Sequence, residues 1–95
     1  MKLSFVIPAY NEEKYIKTCL ESVLKQASGN DDIEVIVVDN ASTDKTKEIA
    51  KSFSGVIVVS EPKKGLVRAR QAGYLASRGD LIANIDADAI LPDGW

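Results

Sequence analysis

The sequence predicts an α/β fold in three layers, α/β/α, built on a doubly wound, mostly parallel sheet of four strands with three helices. Short apolar runs alternate with longer one-sided segments, which is typical of parallel strands joined by right-handed helical crossovers. Residues 35–38 are apolar at every position, as expected of a strand that is buried on both faces. A length of 95 residues corresponds to one small domain, residues 1–95.

The first strand and helix are predicted at residues 3–7 and 12–27. Pro8 should end the strand, because it has no N–H group for strand pairing. Apolar residues then recur at helical spacing up to position 27. Asn11 is placed to cap this helix with its side-chain oxygen.

The remainder of the chain repeats the alternation, with strands predicted at residues 33–38, 56–59 and 81–85. Ser42 or Thr43 is placed to cap a second helix. A third helix is predicted at residues 66–77. Its inner face carries only small residues, so it should lie close to the sheet: Ala69, Ala72, Gly73 and Ala76.

Composition excludes several classes of function. Twelve basic against fourteen acidic residues give a net charge of −2, which disfavours a nucleic-acid partner. The single cysteine, Cys19, and the absence of histidine exclude disulfide frameworks, zinc clusters and histidine catalysis. Any metal must therefore be held by oxygen, as Mg²⁺, Ca²⁺ or Mn²⁺ are. No apolar run is long enough to span a membrane, so a cytoplasmic protein is expected, with membrane association of a longer form left open.

The predicted ends of the strands carry the residues that suggest chemistry, since ligands of such folds bind beyond those ends. Asp86 and Asp88 follow the fourth strand and could hold Mg²⁺ or Mn²⁺ together with phosphate oxygens of a substrate. The alternative is a surface turn in which Asp86 caps the following segment.

Asp39 ends the second strand and could accept a hydrogen bond from a nucleobase or a ribose. An NAD site is excluded, because residues 8–13 contain no glycine, and no Walker-type loop is present. The alternative role of Asp39 is to cap the next helix, for which Ser42 and Thr43 are better placed.

Cations are concentrated between positions 62 and 79, where no acidic residue occurs. This pattern favours a local anion site next to a helix amino terminus, and the alternative is a solvated helix face. The cations are Lys63, Lys64, Arg68, Arg70 and Arg78.

Four segments in this order resemble the amino-terminal half of a family 2 glycosyltransferase, a nucleotide-sugar-dependent enzyme with the Rossmann-like GT-A fold. The segments are Val6 to Glu13 (VIPAYNEE), Val37 to Thr46 (VVDNASTDKT), Gly65 to Gly73 (GLVRARQAG) and Asp86 to Asp88 (DAD). The resemblance implies a sheet that is incomplete at its carboxyl-terminal end.

The resemblance also implies roles for the matching residues. Asp39 would accept from the base, usually uracil, and Arg70 would lie near the nucleotide, although Gln71 stands where the family commonly has asparagine. Asp86 would lie near the ribose or the metal, with Asp88 as the stronger ligand of Mn²⁺ or Mg²⁺. Lys64 and Arg68 would add positive charge. The residues implied to contact the nucleoside are Pro8, Ala9, Tyr10 and Glu12.

The implied reaction is metal-dependent, inverting transfer of a sugar from a UDP-sugar to an acceptor hydroxyl. The general base is expected beyond Trp95, so the isolated 95 residues should be inactive, and the fourth strand should leave an exposed edge prone to self-association. A non-catalytic module that binds a nucleotide sugar or supports a partner subunit is the alternative. A receiver-type signalling domain is disfavoured, because the third strand ends in Ser60-Glu61-Pro62 and a fifth strand is missing.

Overall fold

The computed structural model describes residues 2–92, so the two ends of the predicted domain, Met1 and residues 93–95, lie outside the described residues. Within that range the chain forms four strands and three helices, in the predicted order. They are β1 (Leu3–Ala9), α1 (Ile16–Ala27), β2 (Ile33–Asp39), α2 (Thr46–Lys51), β3 (Val56–Ser60), α3 (Leu66–Ala76) and β4 (Leu81–Asn84).

All four strands lie in one parallel sheet of order β3-β2-β1-β4. Leu3 of β1 pairs with Ile33 of β2 on one side and with Leu81 of β4 on the other. Because the strands are parallel, their carboxyl ends meet at one edge of the sheet. This arrangement brings the loops after β1, β2, β3 and β4 together.

Helices cover both faces of the sheet. On one face, α1 and α2 pack against Phe5, Ile7 and neighbouring strand residues through Ile16, Leu20 and Ala50. On the other face, α3 packs against the strand side chains that point away from α1 and α2. These are Val6 of β1 and Ile36 and Val38 of β2. The predicted three-layer, doubly wound architecture is confirmed.

Helix α3 lies close to the sheet, as its small inner residues predict. Ala69 and Gly73 are buried against the strands. A Cβ atom at Gly73 would overlap Val6 Cγ1 and lie 3.2 Å from Val38 Cγ2. A glycine is therefore required here by the close approach of the helix to the sheet.

Pro8 does not end β1, and that prediction was wrong. It lies inside the strand, in register with Val38. Val6 accepts a hydrogen bond from the Ile85 N–H on the β4 side (2.9 Å), and backbone groups alternate sides along a strand. The backbone nitrogen of Pro8 therefore points to the β4 side as well. The last pair between β1 and β4 is Val6 with Asn84, so β4 has already ended at this position. The missing N–H group of Pro8 costs no ladder hydrogen bond.

The first helix begins at Ile16, four residues later than predicted, and Asn11 does not cap it. The backbone N–H groups of Tyr15 and Ile16 both bond to the Glu12 carbonyl, which forms a turn ahead of the helix. Asn11 has a positive φ of 51°, and its Oδ1 accepts the Thr43 N–H at 2.8 Å. Its side chain joins two loops and is not available to the helix.

The second helix begins at Thr46, and neither Ser42 nor Thr43 caps it. Asp44 supplies the nearby acceptor instead, since its Oδ1 accepts the Thr46 N–H at 2.9 Å. Ser42 Oγ accepts the backbone N–H of Asn11 at 3.0 Å. The predicted capping residues are thus used for contacts with the other loop.

A polar cluster joins the strands at the end of the sheet opposite these loops. The Ser4 hydroxyl and the Arg78 N–H both donate to Glu34 Oε2, each at 2.5 Å. The Gly79 N–H donates to Ser4 Oγ at 2.9 Å. Burial alone would raise the pKa of Glu34, but these two hydrogen bonds and the charges of Lys2 and Arg78 outweigh it and lower the pKa.

Stability should decrease when Glu34 is protonated. The pKa of Glu34 is lower in the folded state than in the unfolded state, where it is about 4.3. The contribution of the ionised carboxylate to the free energy of unfolding is therefore fully present above the unfolded pKa and is lost as pH falls through the folded pKa. The variant Glu34→Gln keeps an oxygen acceptor but no charge. Urea unfolding between pH 3 and pH 7 should show a smaller fall in the free energy of unfolding for this variant than for the wild type. Parallel pH profiles would contradict the assignment.

Strand β4 lies at an edge of the sheet formed by residues 2–92. The self-association expected from this edge stays a prediction. None of the helices in the described range is long and apolar enough to cross a membrane. The cytoplasmic location also stays a prediction.

Candidate functional site

A cleft of about 570 Å³ opens at the carboxyl ends of the strands. Loops after all four strands border it, as the parallel topology requires. The residues that line it are Pro8, Ala9, Tyr10, Glu12, Asn40, Lys64, Gly65, Leu66, Ala69, Asp86, Ala87 and Asp88.

The acidic pair after β4 lies on a turn that is anchored in the core. The Ala89 N–H bonds to the Asp86 carbonyl at 2.9 Å, while Ile85 and Ala87 are buried. This alternation leaves Asp86 and Asp88 exposed to the cleft. A turn is present, as the alternative interpretation required, and it presents both carboxylates to the cleft.

Negative charge is concentrated at this end of the cleft. The pKa of Glu12 is raised, first by burial and then by the charges of Asp88, Asp44 and Asp86. Beneath the turn, the buried Cys19 thiol donates to the Asp86 carbonyl at 3.5 Å. Burial, with the charges of Asp88, Glu12 and Asp86, raises the pKa of Cys19 to about 11. A cation would relieve this mutual repulsion.

The positive charge in the cleft comes from the loop between β3 and α3. Lys64 Nζ lies 3.0 Å from the Tyr10 hydroxyl and 4.8 Å from the centroid of its ring. Gly65, the first residue outside α3, has a φ of 137°, a backbone conformation that favours glycine. Of the described residues that line the cleft, Lys64 alone carries a positive charge.

Hydrogen bonds between the loops after β1 and β2 hold one wall of the cleft. Besides the Asn11 contacts, the Glu12 N–H donates to Thr46 Oγ1 at 2.8 Å. The Lys45 N–H donates to Glu13 Oε2 at 3.2 Å. Ala41, in the second loop, has a positive φ of 63°, which costs a non-glycine residue roughly 1–2 kcal/mol. Contacts between the two loops therefore hold a backbone that would not be preferred in isolation.

Asp39 lies at the end of β2, paired with Ala9 of the cleft. It is 5% exposed, and its Oδ1 has no hydrogen-bond partner within residues 2–92. An unpartnered buried carboxylate oxygen is costly, so a donor from outside the protein would stabilise it. Because Asp44 supplies the acceptor at α2, the interpretation of Asp39 as a helix cap was wrong.

The structure brings most of the predicted site residues together, but Asp39, Arg68 and Arg70 are not among the residues that line the cleft. Asp39 is buried at the end of β2, next to the lining residue Ala9, and Arg70 is exposed on α3. Arg70 directly follows Ala69, which faces the cleft, and one helical step of about 100° turns it away. Arg68 is also exposed and outside the lining.

The predicted anion site of five cations is not formed as expected. Of the five, only Lys64 lines the cleft, and Arg78 lies at the opposite end of the sheet, where its N–H donates to Glu34.

Sequence reasoning missed part of the lining. Asn40 is the polar residue among those missed, and its position directly after a strand that ends in an acid was the available signal. The others have small or apolar side chains without a chemical signature: Gly65, Leu66, Ala69 and Ala87.

A doubly wound parallel sheet with a charged cleft at its strand ends defines an α/β protein of the class that binds ligands at those ends. Within this class, residues 4–95 match the family model described as glycosyl transferase family 2. The chain belongs to that family, and the predicted resemblance is confirmed.

Individual relatives agree with this assignment. The glycosyltransferase AglE of Haloferax volcanii is 38% identical over 98 residues, covering 98% of this chain and 32% of the relative. The mannosyltransferase PcManGT from Pyrobaculum calidifontis, solved with GDP-Man and Mn²⁺, has a TM-score of 0.89 at 28% identity, covering 96% of this chain and 28% of that one.

Glucosyl-3-phosphoglycerate synthase from Mycobacterium tuberculosis, solved with Mn²⁺, UDP and phosphoglyceric acid, has a TM-score of 0.81 at 35% identity. The match covers 94% of this chain and 34% of that one. This chain therefore spans about a third of the length of these relatives.

Proposed function

We propose that this chain is the donor-binding part of a glycosyltransferase that moves a sugar from a nucleotide diphosphate sugar, UDP-linked, to an acceptor hydroxyl. The observation that carries the proposal is the buried, unpartnered Oδ1 of Asp39 beside the cleft. This oxygen could accept a hydrogen bond from the N3–H group of uracil. The names of the relatives, which include UDP and GDP-Man complexes, support a nucleotide-sugar donor.

The acidic end of the cleft suits a divalent cation. No group of three or more Cys, Asp or Glu side chains in the described part of the chain is arranged to hold a metal alone. Asp86 and Asp88 supply two carboxylates, and Mg²⁺ or Mn²⁺ commonly takes one or two carboxylates with phosphate oxygens and water. The donor set therefore fits Mn²⁺ or Mg²⁺ bound together with a diphosphate. When bound, such a cation offsets the negative charge that grows on the leaving diphosphate.

Different residues along the cleft bind different parts of the donor. Asp39 selects the base, and Tyr10 contributes part of the adjacent wall. Lys64 places a fixed positive charge where the diphosphate would lie. The described cleft assigns no base to the acceptor hydroxyl. Inversion at the anomeric carbon and the inactivity of the isolated 95 residues stay predictions from the resemblance.

The test is calorimetric titration of the protein with UDP and with inorganic diphosphate, each with and without Mn²⁺. The variant Asp39→Ala should weaken UDP binding by roughly 10- to 100-fold, as expected for loss of a hydrogen bond to a charged group. Binding of diphosphate, which has no base, should change less than twofold. Asp31→Ala, an exposed acid before β2, controls for the change in net charge.

Two results would count against the proposal. If the wild-type protein fails to bind UDP in the presence of Mn²⁺, the donor assignment is wrong. Equal losses of UDP and diphosphate binding in Asp39→Ala would remove Asp39 from base recognition.

A further inference from the structure

Asn40 is the most fully hydrogen-bonded polar side chain at the cleft. It is 5% exposed, and its Oδ1 accepts the Gly65 N–H at 2.9 Å. Its Nδ2 donates to the carbonyls of Glu61 (3.0 Å) and Lys63 (2.8 Å). Its own N–H donates to the Ala9 carbonyl at 2.8 Å. One side chain thus joins the end of β2 to three positions of the loop between β3 and α3.

The chemistry of the partners determines the amide orientation. Two partners are carbonyls, which only accept, and the third is an N–H, which only donates. An aspartate has the same shape but no donor, and it would place a negative charge against the carbonyls of Glu61 and Lys63. Asparagine therefore matches all three partners, and aspartate does not.

The loop that Asn40 holds supplies the positive side of the cleft. Lys63, Lys64 and Gly65 are all exposed, and the contacts of Asn40 lie on both sides of Lys64. They also hold Gly65, from which α3 begins with its amino end at the cleft. A helix amino terminus and a lysine ammonium both favour a bound phosphate group.

We propose that Asn40 is a positioning residue for the donor diphosphate, acting through Lys64. The inference rests on the proposed function, because it takes the diphosphate as the ligand of this loop. A purely structural role would make Asn40 important for stability alone. A positioning role also makes it important for the part of the ligand that Lys64 contacts, and not for the base.

The test compares UDP with uridine in the presence of Mn²⁺, by calorimetry and by NMR titration. Asn40→Asp should weaken UDP binding about tenfold while uridine binding changes less than twofold. Asn30→Asp makes the same substitution in an exposed loop before β2 and should leave both affinities unchanged.

A double-mutant cycle with Lys64→Met separates positioning from direct repulsion between the new carboxylate and the diphosphate. In the Lys64→Met protein, Asn40→Asp should weaken UDP binding less than twofold, because the lysine it positions is gone. Direct repulsion would persist in that background. The same cycle is repeated with Asn40→Ser, which adds no charge. This variant also replaces Asn40→Asp in the test if Asn40→Asp does not fold.

The possible failures are distinguishable. If wild-type protein does not bind UDP, the proposed function fails. If it binds UDP but the effects of Asn40 and Lys64 substitutions add independently, Asn40 does not act through Lys64. Equal losses of UDP and uridine in a folded Asn40 variant would also overturn the inference.

Discussion

Replacing Gly73 with valine should lower the free energy of unfolding by roughly 3 kcal/mol or more, or prevent folding altogether. The first added carbon already overlaps Val6 Cγ1, which belongs to a fully buried side chain on a central strand. Neither Val6 nor Val38 can move aside without disturbing the packing of α3 on the sheet. Urea unfolding followed by circular dichroism measures the loss.

Matched variants identify the cause. Gln71→Val introduces the same side chain on the exposed face of α3 and should cost less than about 1 kcal/mol, as a helix propensity effect. Adding Val6→Ala should recover part of the stability of Gly73→Val, because it removes the overlapping methyl groups. If Gly73→Val were no worse than Gln71→Val, α3 would not pack as closely as described.

Replacing Asp88 with asparagine should change the affinity for UDP in opposite directions with and without Mn²⁺. With Mn²⁺, loss of one of two carboxylate ligands should weaken UDP binding by at least about tenfold. Without metal, the same variant should bind UDP roughly two- to fivefold more tightly, because a charge that repels the diphosphate is gone. Calorimetry with Mn²⁺ or with a chelator measures both affinities.

The opposite signs separate a metal ligand from a general loss of structure, which would weaken binding in both conditions. Asp80→Asn, an exposed acid before β4, makes the same charge change and should alter neither affinity by more than twofold. Binding of UDP that is unaffected by Mn²⁺ in the wild type, or unaffected by Asp88→Asn, would remove Asp88 from the metal site.

Much of the architecture could be predicted because its signals are local. The uninterrupted apolar run at residues 35–38 predicts a strand buried on both faces, and β2 is buried along that run. The small inner residues of α3 predict its close contact with the sheet, which Gly73 confirms. The sequence positions of Asp86 and Asp88, directly after an apolar strand, placed them correctly at the cleft.

The errors fall where side chains bond to distant parts of the chain. Asn11 and Ser42 each have the residue type of a helix cap, and both are used instead to join loops 31 positions apart. Pro8 is a residue type that predicts the end of a strand, yet it lies within β1. It is tolerated there because β4 ends before Pro8, so no strand partner needs its missing N–H group. Nothing in the sequence around Asn40 predicts its contacts with a loop more than 20 positions away.

The sequence by itself determined the order of strands and helices, the three-layer class, and the gathering of acidic residues at strand ends. These follow from local periodicity and from the rule that parallel strands share one carboxyl edge. Only the tertiary structure decided which polar side chains face the cleft and which join its walls. That outcome depends on contacts between residues 21 to 34 positions apart in the chain, where an asparagine can serve equally as a cap, a link or a positioning residue.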